Sequence, residues 1–349
     1  EDLGAAPSGT CPADAQVYRV VHDASYTPSA KAACAPASGL NANLNVVPNA
    51  LGQPDSERGN YEAAEREFET ALAINQSSVS SLIGLGGVYA REERLPEAEE
   101  KFKEAVTLQP GSWDAYNAYG GFLFNNGKFE QAAQQYREIV SLDDGNLAGW
   151  NNLGASLTLS GQFSEALLAY ERSIAIEPTQ TSYSNLGMLH YYLGQIDEAA
   201  VALEGATKIA PNDYLAWSNL GDVLSFSATP EKADAAFAKA EELAEERRQV
   251  NNRDADTIAD LAWIKAMRSR FAEAADLAAI ALEIAPMNPH VHYLNALILA
   301  RRGDAPAAIA SLETAVEMGY SLTLIAAEPH LRPLRGEQRF QELIGGRIQ

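Results

Sequence analysis

The sequence predicts an all-α solenoid of about eight helical hairpins, and three observations indicate this fold class. The words NNLG, SNLG and SNLG end at Gly154, Gly187 and Gly221, which gives spacings of 33 and then 34 residues. Large apolar residues recur three and four positions apart around each word. Glycine and proline return at fixed places between these apolar stretches. A period of this length is typical of one structural unit that is stacked many times.

Each unit can be interpreted as two helices joined by a tight turn. In one unit, Leu153 and Leu157 lie on the apolar stripe of the first helix. Gly161 ends that helix in a left-handed turn, and Pro178 stops the second helix. Such a hairpin cannot bury its faces alone and must stack on its neighbours. The units begin near residues 45, 79, 113, 147, 180, 214, 255 and 289.

This pattern resembles the tetratricopeptide repeat family, whose signature positions recur together over about residues 59–322. The resemblance implies a right-handed solenoid that binds protein partners. We therefore expect a repeat array over residues 45–322, with an overlong second helix in the sixth unit. Residues 323–349 resemble the terminal cap of repeat regions in bacterial serine/threonine kinases and membrane-bound regulators. In this cap, a helix would seal the last apolar face with Leu331, Leu334, Phe340 and Leu343.

Residues 1–44 form an irregular arm that differs in composition from the array. A strand-like alternation is found at Val17, Tyr18, Val20 and Val21. Such a strand must dock on its own solenoid, pair within the arm or dock on another copy. Helix-breaking prolines, Pro48 and Pro54, make the first helix of the first unit short, broken or absent.

The two cysteines, Cys11 and Cys34, both lie in the arm. They either form a disulfide or remain two free thiols. A disulfide would favour an extracytoplasmic or secreted protein, and a cytoplasmic location is the alternative. The chain begins at Glu1, as a processed protein or a fragment would.

The composition and motifs favour binding over catalysis. A formal net charge of -21 disfavours nucleic acid and anionic membrane surfaces as partners. No apolar stretch approaches the length that spans a membrane. We find no nucleotide-binding loop, kinase motif, metal-ligand spacing or nucleophile–base arrangement. We therefore expect a protein that is not an enzyme, with no cofactor, no metal site and no catalytic residue.

An asparagine precedes the leucine of each repeated word, at Asn152, Asn185 and Asn219. Family resemblance places these positions on the inner groove, where a similar asparagine ladder in O-GlcNAc transferase holds the backbone of an extended peptide. The alternative is that these amides bond neighbouring turns within the array. Other residues expected to line the groove are Asn117, Phe124, Asn125, Asn151, Tyr191, Tyr192, Phe226, Trp263 and Met267.

Three functions follow from these features. The first is a scaffold that binds a protein or peptide through the groove and the solenoid ends. The second is a secreted structural subunit, in which the arm meets the next copy and a head-to-tail fibre grows. The third is the sensor or regulatory region of a bacterial serine/threonine kinase.

Overall fold

The computed structural model describes residues 60–345, and all regular secondary structure in that range is helical. The predicted all-α solenoid is confirmed, because seven helix pairs follow the second helix of an eighth within this range. Three predictions lie outside the described residues: the strand-like Val17, Tyr18, Val20 and Val21, the pair Cys11 and Cys34, and the first helix of the first repeat unit.

The helices are α1 (Tyr61–Ile74), α2 (Val79–Arg91), α3 (Leu95–Leu108), α4 (Trp113–Asn125), α5 (Phe129–Leu142), α6 (Leu147–Leu159), α7 (Phe163–Ile176), α8 (Gln180–Tyr192), α9 (Ile196–Ile209), α10 (Tyr214–Leu224), α11 (Pro230–Val250), α12 (Ala255–Met267), α13 (Phe271–Ile284), α14 (Pro289–Arg301), α15 (Ala305–Glu317), α16 (Leu322–Ala327), a 3-10 helix (Pro329–Gly336) and α17 (Gln338–Gly345). We call the even-numbered helices α2 to α14 the first helices of their pairs. The others from α1 to α15 are the second helices.

The chain divides into two compact units, which we describe separately. The first unit comprises the described residues up to Asn125 together with Gln134–Asp144. The second unit comprises Asn126–Ala133 together with the described residues from Gly145 onward.

The first unit is held together by aromatic rings that lie against glycines. Phe68 of α1 packs so closely on Gly84 of α2 that an added Cβ would lie 2.4 Å from the ring. Tyr136 of α5 approaches Gly120 of α4 in the same way, at 2.9 Å. The rings themselves are buried. These glycines are therefore required by the close approach of consecutive helices.

The repeated words serve the same packing in the second unit. An added Cβ at Gly154 would lie 2.5 Å from the Tyr170 ring, and one at Gly221 would lie 2.8 Å from the Phe237 ring. In the two final pairs, alanine replaces this glycine and is fully buried, at Ala262 and Ala296. Six of the seven turns after the first helices contain a residue with positive φ, of which Gly161 at 81° is one, and the turn after α10 does not.

The α10–α11 pair, which is the sixth unit of the repeat frame, departs from the others because α11 has 21 residues, whereas α9 and α13 have 14. Acidic side chains of α11 pair with Lys265 of α12, which is 5% exposed. Glu241 of α11 accepts hydrogen bonds from Lys265, Arg268 and Arg270, with distances of 2.6 to 2.8 Å. The long helix is thereby joined to the next pair by a charged network.

After α15 the chain does not continue as a single capping helix. It turns at Gly319, where φ is 96°, and forms α16, the 3-10 helix and α17 in succession. The 3-10 helix packs on α14, and α17 packs on the 3-10 helix and on α15. The side chains of Leu331, Leu334 and Phe340 are buried in this arrangement. Residues 321–336, which we call the C-terminal segment, thus run back along the first helices of the second unit.

Candidate partner-binding surfaces

In the first unit, a cavity of about 650 Å³ lies between α2 and α4. It is lined by Ser80, Ile83 and Gly84 of α2 and by Asp114 and Asn117 of α4, among others. The side chains of Ser80 and Asp114 are exposed, and those of Ile83 and Asn117 are half-buried. The cavity is therefore accessible from solvent.

Two other residues predicted for this surface lie at the end of α4. Phe124 is half-buried and Asn125 is exposed. Neither lines the cavity between α2 and α4. Of the three groove residues predicted in the first unit, the structure places only Asn117 in the cavity wall.

In the second unit, the three asparagines of the repeated words occupy equivalent positions. Asn152, Asn185 and Asn219 lie on α6, α8 and α10, each two residues before the buried glycine, and each is half-buried. Within residues 60–345, the side-chain amides of Asn185 and Asn219 make no hydrogen bond. Asn151, one residue before the first of them, has a buried Oδ1 without a partner. These amides retain the capacity to pair with a peptide backbone.

The aromatic residues predicted for the groove come together farther along the second unit. The rings of Tyr191 and Tyr192 have centroids 5.6 Å apart, and the Tyr191 and Phe226 centroids are 5.8 Å apart. Tyr191 and Trp263 are almost fully buried, and Met267 is 8% exposed. A groove that were empty would expose such residues, so another part of the molecule covers them.

The C-terminal segment covers these residues. The imidazole of His330 lies 4.7 Å from the Phe226 ring and 4.9 Å from the Trp263 ring, measured between centroids. At the beginning of the segment, Ser321 Oγ lies 3.4 Å from the carbonyl oxygen of Leu159 at the end of α6. The segment therefore follows the inner side of the second unit from α6 to α14.

A buried carboxylate anchors the segment. Glu328 is 3% exposed and accepts hydrogen bonds from Tyr191 Oη at 2.8 Å and Tyr293 Oη at 2.7 Å. The backbone N–H of His330 donates to the same carboxylate at 2.9 Å. Burial, followed by the nearby Glu328 charge, raises the pKa of Tyr191 and of Tyr293 well above the ordinary value. Both hydroxyls therefore keep the proton that they donate.

A second carboxylate lies under the segment on α10. Asp222 accepts a hydrogen bond from Trp263 Nε1 at 2.9 Å. His330 Nε2 lies 3.5 Å from Asp222 Oδ1 and makes no hydrogen bond within the described residues. Trp263 is thus held in a fixed orientation against the imidazole of the segment.

Sequence reasoning missed Glu328 and its donor Tyr293, because it placed the segment at the solenoid end. One signal was present in the sequence. The stretch LTLIAAEPHL is apolar around Glu328, and it lies outside the repeat frame that would supply it with a partner helix. An apolar stretch without a partner must find another surface to cover.

The described residues lack two other kinds of feature. Among residues 60–345, no group of three or more His, Cys, Asp and Glu side chains could hold a metal ion. In the same range, no helix combines the length and the apolar character that crossing a bilayer needs.

The comparison with protein families identifies the repeats. A tetratricopeptide repeat model matches residues 50–113, 123–181 and 260–319, and a second tetratricopeptide repeat model matches residues 181–213. These matches cover more than half of the 349 residues. The chain therefore belongs to the tetratricopeptide repeat family. No curated protein matches the sequence.

Three of the similar solved structures are those of YrrB, MamA and PilF, of which YrrB is described as a tetratricopeptide repeat protein. YrrB, described as having an unusual peptide-binding site, is 22% identical with a TM-score of 0.45, over 52% of this chain and 95% of its own. MamA from Desulfovibrio magneticus RS-1 is 20% identical with a TM-score of 0.44, and the match covers 48% of this chain and 96% of the MamA chain. PilF of Pseudomonas aeruginosa is 19% identical with a TM-score of 0.42, and the match covers 72% of this chain and 96% of the PilF chain.

Proposed function

We propose that this protein is a non-catalytic scaffold that binds an extended peptide segment of a protein partner along its first helices. The observation that carries the proposal is the row of equivalent asparagines in the second unit. The amides of Asn185 and Asn219 are half-buried and make no hydrogen bond within the described residues. An unpaired, partly buried amide lowers its free energy when it finds a partner.

The chemistry of these positions favours a polypeptide. Each asparagine amide can donate to a peptide carbonyl and accept from a peptide N–H, whatever the side chain of the bound residue. The net charge of -21 opposes binding of a phosphate backbone. Lysine and arginine are absent from the predicted groove residues, which disfavours recognition of a terminal carboxylate there. The partner would therefore present an internal, extended segment.

The test begins with peptides selected from an unbiased displayed library against the full chain. The double variant Asn152→Ala, Asn185→Ala should bind these peptides about thirtyfold more weakly, because it loses two hydrogen bonds that are worth about 1 kcal/mol each. Binding is measured by isothermal titration calorimetry. Asn252→Ala, which changes an exposed asparagine in the turn after α11, serves as the matched control and should bind normally.

Two results would contradict the proposal. One is equal affinity of wild type and the double variant for every selected peptide. The other is a loss of affinity that accompanies a loss of helicity by circular dichroism, because the effect would then come from the fold. Retained helicity with weaker binding supports the asparagine row as the binding surface.

The fibre and kinase functions remain predictions. A head-to-tail fibre depends on the arm of residues 1–44, which lies outside the described residues. Deletion of the arm should leave soluble monomers if the fibre prediction is right, as measured by electron microscopy of the unreduced protein. The extracytoplasmic location depends on the Cys11–Cys34 disulfide, and labelling of two thiols per unreduced chain would contradict it.

A further inference from the structure

The C-terminal segment lies where a bound peptide would lie. The residues that it covers, among them Tyr191, Phe226 and Trp263, are those that the repeat frame predicts for the partner groove. The segment also inserts its own apolar side chains, since Ile325 and Leu331 are at most 1% exposed. One part of the chain thus makes the contacts that an external ligand of this groove would make.

The segment has little structure of its own. Its helix α16 has six residues, and the 3-10 helix that follows contains Pro333. Helices of this length do not persist in water without tertiary contacts. The ordered conformation of residues 321–336 therefore depends on the groove, as the conformation of a bound peptide does.

The polar anchor of the segment limits its affinity. Glu328 is buried, yet within residues 60–345 no cationic side chain forms an ion pair with it. Neutral hydroxyls of Tyr191 and Tyr293 replace the water that the carboxylate loses. Burial of a charge without an opposite charge is costly, so the net free energy of docking is smaller than the contacts suggest.

The packing of the segment is also incomplete. A cavity of about 580 Å³ remains beside it, lined by Phe226 and Met267 of the array and by His330 and Arg332 of the segment, among others. The connection to α15 contains Gly319 with its positive φ, outside any helix. The segment can therefore leave by a change in this short connection, with the helix pairs intact.

We propose that residues 321–336 are an internal ligand that closes the aromatic part of the groove and must leave before a partner binds there. The inference rests on the proposed function and specifies how that binding surface is regulated. The partner that fits carries the same pattern as the segment: a carboxylate, then proline, then a leucine two residues later. In the chain, this pattern is Glu328, Pro329 and Leu331, all of them buried.

The probe for the experiment is a fluorescein-labelled synthetic peptide with the sequence of residues 320–337. Wild type should bind it weakly, because the tethered copy competes at an effective concentration of about millimolar. In full-length Glu328→Lys, the ammonium group would replace the carboxylate that the two tyrosines bind. The internal segment should then leave, and the peptide should bind at least about tenfold more tightly than to wild type.

The chain offers a matched control. Glu337→Lys makes the same change in charge nine residues later, at an exposed position, and should bind the peptide as wild type does. A peptide that carries the Glu328→Lys change should bind none of the three proteins. Fluorescence anisotropy gives the affinities, and hydrogen exchange of the amides of residues 321–336 reports release of the segment.

Several results would overturn the proposal. One is equal affinity of wild type, Glu337→Lys and Glu328→Lys for the probe. A second is continued protection of the segment in Glu328→Lys, and a third is release of the segment without binding of the probe. If Glu328→Lys loses its helicity, a chain with a protease site inserted after Gly319 replaces it. After cleavage, the C-terminal fragment should exchange with the labelled peptide, and failure to exchange would also refute the proposal.

This experiment separates the inference from the proposed function. The library-selected peptides test the asparagine positions, whereas the segment peptide tests the aromatic positions. If the selected peptides depend on Asn152 and Asn185 while Glu328→Lys changes nothing, the scaffold function stands and the internal ligand fails. If no selected peptide binds but Glu328→Lys admits the probe, the groove is a closed intramolecular site and the scaffold function fails.

Discussion

The two compact units use the same helix pairs, yet their inner surfaces differ in availability. Between α2 and α4 of the first unit, a cavity of about 650 Å³ is accessible from solvent. In the second unit, the equivalent side of α8, α10 and α12 is covered by the C-terminal segment. A position in the repeat frame therefore predicts which residues can line a groove, but it does not determine whether that groove is open.

The units also differ in what they bury. The described buried polar residues of the first unit are serines, such as Ser78 and Ser81. The second unit buries three charged residues, Asp260, Lys265 and Glu328. Each of them depends on a partner that lies far away in the sequence. Substitutions that remove a buried charge should therefore damage the second unit most, whereas added volume at the closely packed glycines should damage either unit.

The largest effect is expected from Glu241→Gln in the second unit. Burial opposes ionisation of Glu241, but hydrogen bonds from Lys265, Arg268 and Arg270 outweigh it and hold its pKa below the ordinary value. Loss of this charge leaves the buried Lys265 ammonium with two longer contacts, to Glu245 and to an exposed carboxylate on α13. We expect the free energy of unfolding to fall by about 2–4 kcal/mol in urea denaturation.

The control for this prediction is the adjacent residue of the same helix. Glu242→Gln removes the same charge from a side chain that is 59% exposed and paired only with Lys239 within the described residues. It should leave the urea midpoint nearly unchanged, because exposed pairs contribute little. Equal destabilisation by the two variants would mean that the loss comes from helix α11 itself and not from the network.

The first unit should respond to a single added methyl group. In Gly84→Ala, the new Cβ would lie 2.4 Å from the Phe68 ring, so the ring or the helix must move. We expect a loss of about 1–3 kcal/mol in the free energy of unfolding. In Gly87→Ala on the same helix, the new Cβ meets nothing within 4 Å. That variant should gain up to about 1 kcal/mol from helix propensity, and a loss there would contradict the packing argument.

These packing relations explain why the fold could be predicted from the sequence. Gly154 faces Tyr170 on the next helix, and Gly221 faces Phe237 in the same way. Both partners of each contact lie within one hairpin, so the contact leaves a trace in the local spacing of residues. Repetition of that spacing then gives the stacking of hairpins.

The occupancy of the groove could not be predicted in this way. The hydrogen bond between Tyr191 and Glu328 joins residues 137 positions apart, and only one copy of it exists in the described chain. A unique long-range contact leaves no period in the sequence. The charge network of α11 was equally hidden, because Glu241 lies in a stretch whose charged residues are typical of a solvated helix.

The smallest predicted effect is a pH dependence that belongs to the second unit. His290 Nε2 lies 3.2 Å from Asp260 Oδ1, whose other oxygen accepts a hydrogen bond from Tyr214. Burial opposes protonation of His290, but the hydrogen bond to Asp260 and the charges of Asp260 and Asp256 outweigh it and raise its pKa above the ordinary value. The folded state therefore binds this proton more tightly than the unfolded state does.

The sign of the effect follows from the raised pKa. The stabilisation by His290 should be fully present below the unfolded-state pKa of about 6.5, and it should be lost as the pH rises through the higher folded-state pKa. His290→Gln should abolish this loss of stability with rising pH. The loss itself should be smaller than about 1 kcal/mol, because the imidazole is partly exposed. The control is His292→Gln on the same helix, because the His292 imidazole makes its hydrogen bond to the Pro286 carbonyl and not to a carboxylate. Urea midpoints measured from pH 5.5 to about 8 should differ between the two variants at the acidic end and converge at the basic end. Parallel curves would place the titration on other groups, and the raised pKa of His290 would then have no effect on stability.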